Sequence, residues 1–208
     1  MRNSLEFEIT AKTAVFTDPL MCHSIGRCTA AVPTYNILRG LCCSIYRSPR
    51  FEWTIDAVRV MNTVRLEEIS YCGREDDSAE LYCCLRDVRY QVRARLVRAQ
   101  RISEYGGIPE AYSIAQRSLK RGGRRMTYLG KREFGCDIKP CVFGEGFCCY
   151  QGTSLDMGMM FHSIIQRGGE PYARIFRCRM EDGIIRFPPP SECIVTRIIE
   201  EDLSDALA

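Results

Sequence analysis

The chain has 208 residues, 46% of them hydrophobic and 26% charged, with a formal net charge of +3. That length buries a core without staples, as one large domain or as a domain of about 120 residues with a smaller companion, and the composition excludes a disordered or low-complexity chain. The longest stretch without Asp, Glu, Lys or Arg runs only from Cys28 to Leu38, and the opening "MRNSLEFEITAK" lacks a hydrophobic signal core; roughly 20 apolar residues are needed to cross a bilayer, so both features point to a cytoplasmic protein without a membrane partner.

Residues 5 to 15 alternate, with Leu5, Phe7, Ile9, Ala11 and Val15 on one face and Glu6, Glu8, Thr10 and Lys12 on the other, which predicts a half-buried strand. After a loop with Pro19, Gly26 and Pro33, the apolar residues Ile37, Leu38, Leu41, Cys42 and Ile45 recur at helical spacing, between Thr34 as N-cap and Pro49 as stop. "WTIDAVRV" and "NTVRL" read as two short strands, and "REDD" at 74 to 77 as an exposed turn. The segment 85 to 101 alternates again: Val88, Tyr90, Val92, Ala94 and Leu96 face one way, and Arg89, Gln91, Arg93 and Arg95 the other. A second helix runs from Pro109 to Leu119 and is closed by Gly122 and Gly123. The order of strand, helix, strands, strand, helix fits an α+β, ferredoxin-like sheet backed by two helices. From Thr127 the texture changes to glycines, isolated apolar pairs and turns such as "EDG" at 181 to 183, which predict short strands and a soft boundary that divides the chain into residues 1–126 and 127–208. A "PPP" run and an acidic tail close it.

Thirteen cysteines include three adjacent pairs, but the count is odd, no CxxC occurs, and only Cys136 and Cys141 approach metal-ligand spacing. Reduced thiols acting as small buried hydrophobes are therefore expected, with no metal and no cofactor.

The charge is unevenly placed. From Arg86 to Arg132 thirteen Lys or Arg stand against Asp87, Glu104 and Glu110, a net of +10 that leaves the other residues at −7. Within it, "RSLKRGGRRMTYLGKREF" gathers Arg117, Lys120, Arg121, Arg124, Arg125, Lys131 and Arg132 around a Gly-Gly break. Such polarity attracts a polyanion to one face. Arginine outnumbers lysine eleven to two here, and its planar fork pairs with phosphate and stacks on bases. Arg89 and Arg93 offer a strand platform, the Gly-Gly loop offers backbone N–H groups, and Tyr105, Tyr112 and Tyr128 offer stacking surfaces. A solvated strand face and core tyrosines are the plainer alternative. No helix-turn-helix or zinc-finger pattern is visible, which favours single-stranded or structured RNA over duplex DNA.

Several stretches, in order, resemble the CRISPR-associated protein five family of subtype I-C: "FTDPLM", "VPTYNILRGLCCSIYRSPRFEW", "LRDVRYQVRA", "YLGKREF", and "CYQGTSLDMGMMF" with "FRCRMEDGIIRFPPP". The resemblance implies a ferredoxin-like, RRM-like domain of the RAMP type with a β-rich carboxy-terminal extension. It implies a crRNA-binding subunit of a Cascade interference complex in antiviral defence, capping the 5′ repeat-derived handle beside the backbone subunit and the large PAM-reading subunit, and meeting target DNA through the complex. Members of subtype I-C also cleave precursor crRNA without metal, using a Tyr at the end of the first helix and a Lys-His pair at the start of the second. Tyr46 matches the first, whereas Glu110 and Ala111 stand where the pair would be. Glu is an anion and Ala transfers no proton, so the expectation is an RNA-binding subunit with weak or lost cleavage. The alternative is an active metal-independent endoribonuclease in which Tyr46 works with Lys120, Arg121 or His23; the other histidine, His162, lies outside the motif.

Overall fold

The computed structural model describes residues 4–16, 27–72, 79–99 and 107–197. The "REDD" turn, His23, Tyr105 and the acidic tail lie outside the described residues.

Among the described residues the chain forms a mostly antiparallel ten-stranded sheet and two helices. In chain order these are β1 (Ser4–Ala14), β2 (Arg27–Cys28), α1 (Tyr35–Ile45), β3 (Phe51–Val60), β4 (Leu66–Cys72), β5 (Ala79–Arg98), α2 (Ile108–Leu119), β6 (Asp137–Pro140), β7 (Ser154–Arg167), β8 (Glu170–Glu181), β9 (Ile184–Arg186) and β10 (Ile194–Arg197). The main path of the sheet is β10-β8-β9-β3-β5-β1-β6, with β2 and β4 on β5 and β7 on β8. Strands after residue 127 thus join the same sheet on both sides, β6 on β1 and β9 on β3.

The alternation in β1 and β5 sets the layers. Leu5, Phe7 and Ile9 oppose Ala94, Val92 and Tyr90, and all six are buried. Trp53, Ile55, Val58 and Val60 of β3 continue this face. Leu38, Leu41, Cys42 and Ile45 of α1 and Ala111, Ala115 and Leu119 of α2 cover it, forming one core. Removing this apolar surface from water is the main term that holds the layers together.

The opposite face is charged, and part of it is closed by the segment 141–149. Cys141 N–H donates to the Glu6 carbonyl at 3.2 Å, Phe143 N–H to Glu6 Oε2 at 3.0 Å and Gly144 N–H to Gln91 Oε1 at 2.9 Å. The Glu145 carbonyl accepts from Gln91 Nε2 at 2.8 Å and from Arg59 Nη1 at 3.2 Å. Gln91 and Arg59 are accordingly buried although they are polar, and the bonds offset their desolvation.

Two sequence expectations change in detail. "NTVRL" is mostly a connection rather than a strand: β4 starts only at Leu66, because Val64 N–H bonds the Tyr150 hydroxyl at 2.9 Å and so is withdrawn from any ladder, while the Asn62 side-chain Nδ2 holds the Asp87 carbonyl at 2.7 Å. The alternating segment is the second half of a 20-residue strand whose first half pairs with β4.

Candidate nucleic-acid interface

The basic cluster begins on α2 and continues through the turn that ends it. Arg117, Lys120, Arg121, Arg124, Arg125 and Arg132 are exposed, and among the described residues none has a carboxylate partner. Lys131 is half-buried in the tight 128–135 turn, closed by Leu129 N–H to the Phe134 carbonyl at 2.9 Å. Unpaired cations this dense repel one another, and the repulsion is relieved when a polyanion docks.

The backbone of the turn is already engaged. Arg121, Gly122 and Gly123 N–H donate to carbonyls of Ser118 and Leu119 at 2.9 to 3.0 Å, and Arg124 and Arg125 N–H both donate to the Ser44 carbonyl at 3.0 and 3.3 Å. Gly122 and Gly123, at φ 81° and 105°, allow this reversal. The loop amides that the sequence offered to phosphate therefore cap the carbonyl ends of both helices, and only side chains remain to bind.

Those same bonds place Tyr46. It ends α1 in an extended conformation, its carbonyl accepting from Trp53 Nε1 at 2.7 Å, and Ser118 Oγ ties the adjacent Ile45 carbonyl to α2 at 2.6 Å. The Tyr46 side chain is mostly buried, 9% exposed, with the Arg124 guanidinium over its ring at 5.8 Å from the centroid. Tyr46 thus stands near the carboxy-terminal end of α2, with Arg124 over its ring, whereas Lys120 on that end lines the cleft beside Tyr112. Glu110 and Ala111 occupy the first turn of that helix, roughly 15 Å away along its axis at 1.5 Å per residue, where Ala111 packs in the core.

The strand platform is differently arranged from the loop. Arg89 pairs with Glu8 at 2.8 Å and Arg93 with Glu6 at 2.9 Å, and Lys139 adds a second cation to Glu8 at 3.0 Å. Glu8 is buried. Burial alone raises its pKa, but the hydrogen bonds and charges of Arg89 and Lys139 outweigh this and hold the carboxyl below its usual range. Of the tyrosines, Tyr112 donates its hydroxyl to the Ser4 carbonyl and lines a shallow cleft of about 290 Å³ with Leu5, Gln116, Leu119, Lys120 and Pro140.

His162 is a core residue, with its ring stacked on Tyr35 at 3.8 Å and Nδ1 3.0 Å from Ser163 Oγ. Burial pushes its pKa down to about 4. The Cys136 and Cys141 thiols are pushed up to about 12 and about 11, again first by burial. Among the described residues no group of three His, Cys, Asp or Glu is placed to hold a metal ion, and no helix is long and apolar enough to cross a membrane. Two exposed residues at the site escaped the sequence reading: Met126, 72% exposed between the arginines, and Arg47, directly after Tyr46. An apolar side chain inside a basic run was the available signal for the first.

Residues 4–188 match the family model described as CRISPR-associated protein (Cas_Cas5). The chain belongs to this family. Two solved structures have the same fold over nearly the whole Cas5 chain. A functionally uncharacterized protein from Streptococcus mutans is 28% identical with a TM-score of 0.79, covering 93% of this chain and 96% of its own. A structure described only as a CRISPR-associated protein is 26% identical with a TM-score of 0.78 and the same coverage. A chain of a CRISPR RNA-guided surveillance complex reaches only 11% identity and a TM-score of 0.41, too distant to carry an argument. Comparison with curated proteins yields no match.

Proposed function

We propose that this Cas5 chain is the crRNA-binding subunit of a Cascade interference complex of subtype I-C, capping the 5′ repeat-derived handle. The observation that carries this reading is the set of unpaired cations on α2 and its turn, held on a backbone whose amides from Arg121 to Arg125 are engaged and therefore stiff. In this reading Arg117, Lys120, Arg121, Arg124, Arg125, Lys131 and Arg132 hold phosphates, and Arg89 and Arg93, already balanced by Glu8 and Glu6, contribute less. The order β3-β5-β1-β6, with α1 between β1 and β3 and α2 between β5 and β6, supports a ferredoxin-like domain of the RAMP type. Residues 1–126 would form the RNA-binding unit and residues 127–208 a β-rich unit that contributes β6 and β9 to the same sheet. The Cascade backbone subunit and the large PAM-reading subunit are the partners of this assembly, and target DNA reaches it through base pairing with the guide.

A second reading, metal-independent cleavage of precursor crRNA, is favoured by one observation: the Tyr46 ring lies under Arg124 at the end of α2 that carries Lys120 and Arg121. Cleavage by a ribose 2′-OH needs a group to take its proton and a cation for the developing phosphorane charge. Tyr46 and these cations would fill the roles that Glu110 and Ala111 cannot. His23 lies outside the described residues.

Incubation of the protein with labelled repeat RNA in EDTA, beside Tyr46→Phe, tests both readings. Tight binding without a cut supports the handle-capping subunit. A single cut that is lost in Tyr46→Phe shows the nuclease, and absence of binding overturns both.

A further inference from the structure

The sheet face turned away from the helices carries a second basic surface at the end that 141–149 leaves open. Ala57 of β3 pairs with Arg93 of β5 on one side and with Arg186 of β9 on the other, so both arginines share its face. Met180 of β8 pairs with Ile185 of β9, and both are buried. Their chain neighbours Arg179 and Arg186 therefore lie side by side on the opposite, open face, and Arg177 follows Arg179 along β8 by one strand period. The row crosses four neighbouring strands, roughly 14 Å at the usual strand spacing.

Arg93 is ion-paired with Glu6 and Arg177 with Asp156, the latter at 2.7 Å. Arg179 and Arg186 are exposed; among the described residues Arg186 has no carboxylate partner, and Arg179, opposite Asp156 in the β7–β8 register, makes no close ion pair but shares the field of that carboxylate with Arg177. Phe143 stacks on the Arg93 guanidinium at 4.5 Å, and Met159, opposite Arg177, is 46% exposed. An open face with four arginines against the two carboxylates of Glu6 and Asp156, no lysine in the row and an aromatic or apolar side chain at either end matches a polynucleotide's phosphates and bases. The helices and the basic turn after α2 are on the other side of the sheet.

We propose that this open face holds a second single strand of nucleic acid, separate from the strand held by the 117–132 loop. The row does not depend on how the loop is used, because the two surfaces lie on opposite faces of one sheet. A phosphate backbone here would replace intramolecular partners at Arg93 and Arg177 and meet exposed cations at Arg179 and Arg186.

The test is a titration of the protein, first saturated with repeat RNA and then without RNA, by a fluorescein-labelled oligothymidylate about 20 nucleotides long. Fluorescence anisotropy at several salt concentrations gives the affinity. Expected is binding of the oligothymidylate without release of the RNA. Arg179→Ala with Arg186→Ala should weaken it about tenfold and lower the slope of log affinity against log salt by about 1.4, the single-strand value for two phosphates, while RNA affinity stays unchanged. Both side chains are exposed and neither makes a close ion pair, and Arg177 keeps its bonds to Asp156, so the double variant should melt nearly as the parent does. Release of the RNA by the oligothymidylate, or a double variant that binds it like the parent, would overturn the proposal. Should the protein fail to bind repeat RNA at all, the loop reading falls, and the titration without RNA still decides this one.

Discussion

At Gly130 the chain depends on a missing atom. The residue sits at φ 87°, and a Cβ there would stand 1.7 Å from the Val15 carbonyl oxygen, so the 128–135 turn can lie against the end of β1 only with glycine. Gly130→Ala should therefore cost more than about 3 kcal/mol of stability, visible in urea denaturation, whereas Gly135→Ala, with open space at its Cβ, should cost far less. His162 makes a prediction in pH. Its ordinary value is 6.5 and burial depresses it to about 4, so an unfolded chain takes up a proton in this interval that the folded chain refuses. Stability falls as pH drops from 6.5 towards 4, by at most about 3 kcal/mol from this residue. The carboxyl of Glu8, held below its usual value of 4.5, loses its contribution only at lower pH. His162→Phe should flatten the unfolding free energy between pH 6.5 and 4.5, and an unchanged pH profile would remove His162 as the cause. Neither residue was legible as such in the sequence: Gly130 looked like any turn glycine, and a lone histidine in an apolar run carries no mark of what stacks on it.

Among the elements, the strands with one buried face were readable because alternation of period two has one physical meaning, and β1 from Leu5 to Ala11 and the second half of β5 follow it; at the end of β1 it breaks, Ala14 joining the core and Val15 packing with Cys84 and Phe134 instead. α1 and α2 were readable from helical spacing, Thr34, Pro109 and the glycine pair. β4 and the first half of β5 were not: they pair mainly with each other, and the sequence offered no clear alternation there to mark them. The strap at 141–149 has no periodicity at all; its order comes from bonds to Glu6, Gln91 and Met61 far away in sequence. For the same reason, the neutralisation of Arg89 and Arg93 could not be read locally, because Glu8 and Glu6 come from a strand about 80 residues earlier. The joint between the helix ends gives a test at this scale. Ser118 is buried and donates to the Ile45 carbonyl at 2.6 Å, so Ser118→Ala leaves a buried acceptor without that bond and should cost about 1 to 2 kcal/mol. Hydrogen exchange should also quicken at the Arg124 and Arg125 amides, which bond the neighbouring Ser44 carbonyl; protection as strong as in the parent would show that the joint does not depend on Ser118.

For the molecule as a whole, similar residues do opposite things according to where the fold puts them. The segment 86–132 carries a net charge of +10, yet Arg89, Arg93 and Arg95 of its strand half are compensated by Glu8, Glu6 and Asp56, whereas among the described residues Arg117, Lys120, Arg121, Arg124, Arg125 and Arg132 have no carboxylate partner. Polyanion binding should therefore track the loop, and folding stability should track the strand. Arg124→Ala with Arg125→Ala should leave the melting temperature nearly unchanged, because both side chains are exposed and their backbone bonds remain. The same variant should lower the salt slope of RNA binding by about 0.7 for each phosphate it no longer neutralises. Arg89→Ala should do the reverse. It leaves Glu8 buried with Lys139 as its remaining cation, which should cost about 1 to 3 kcal/mol in unfolding free energy, while the salt slope hardly moves. If instead Arg89→Ala takes away the salt dependence and the loop variant does not, the strand face is the principal RNA track, and the Glu8 pair must open for RNA to bind.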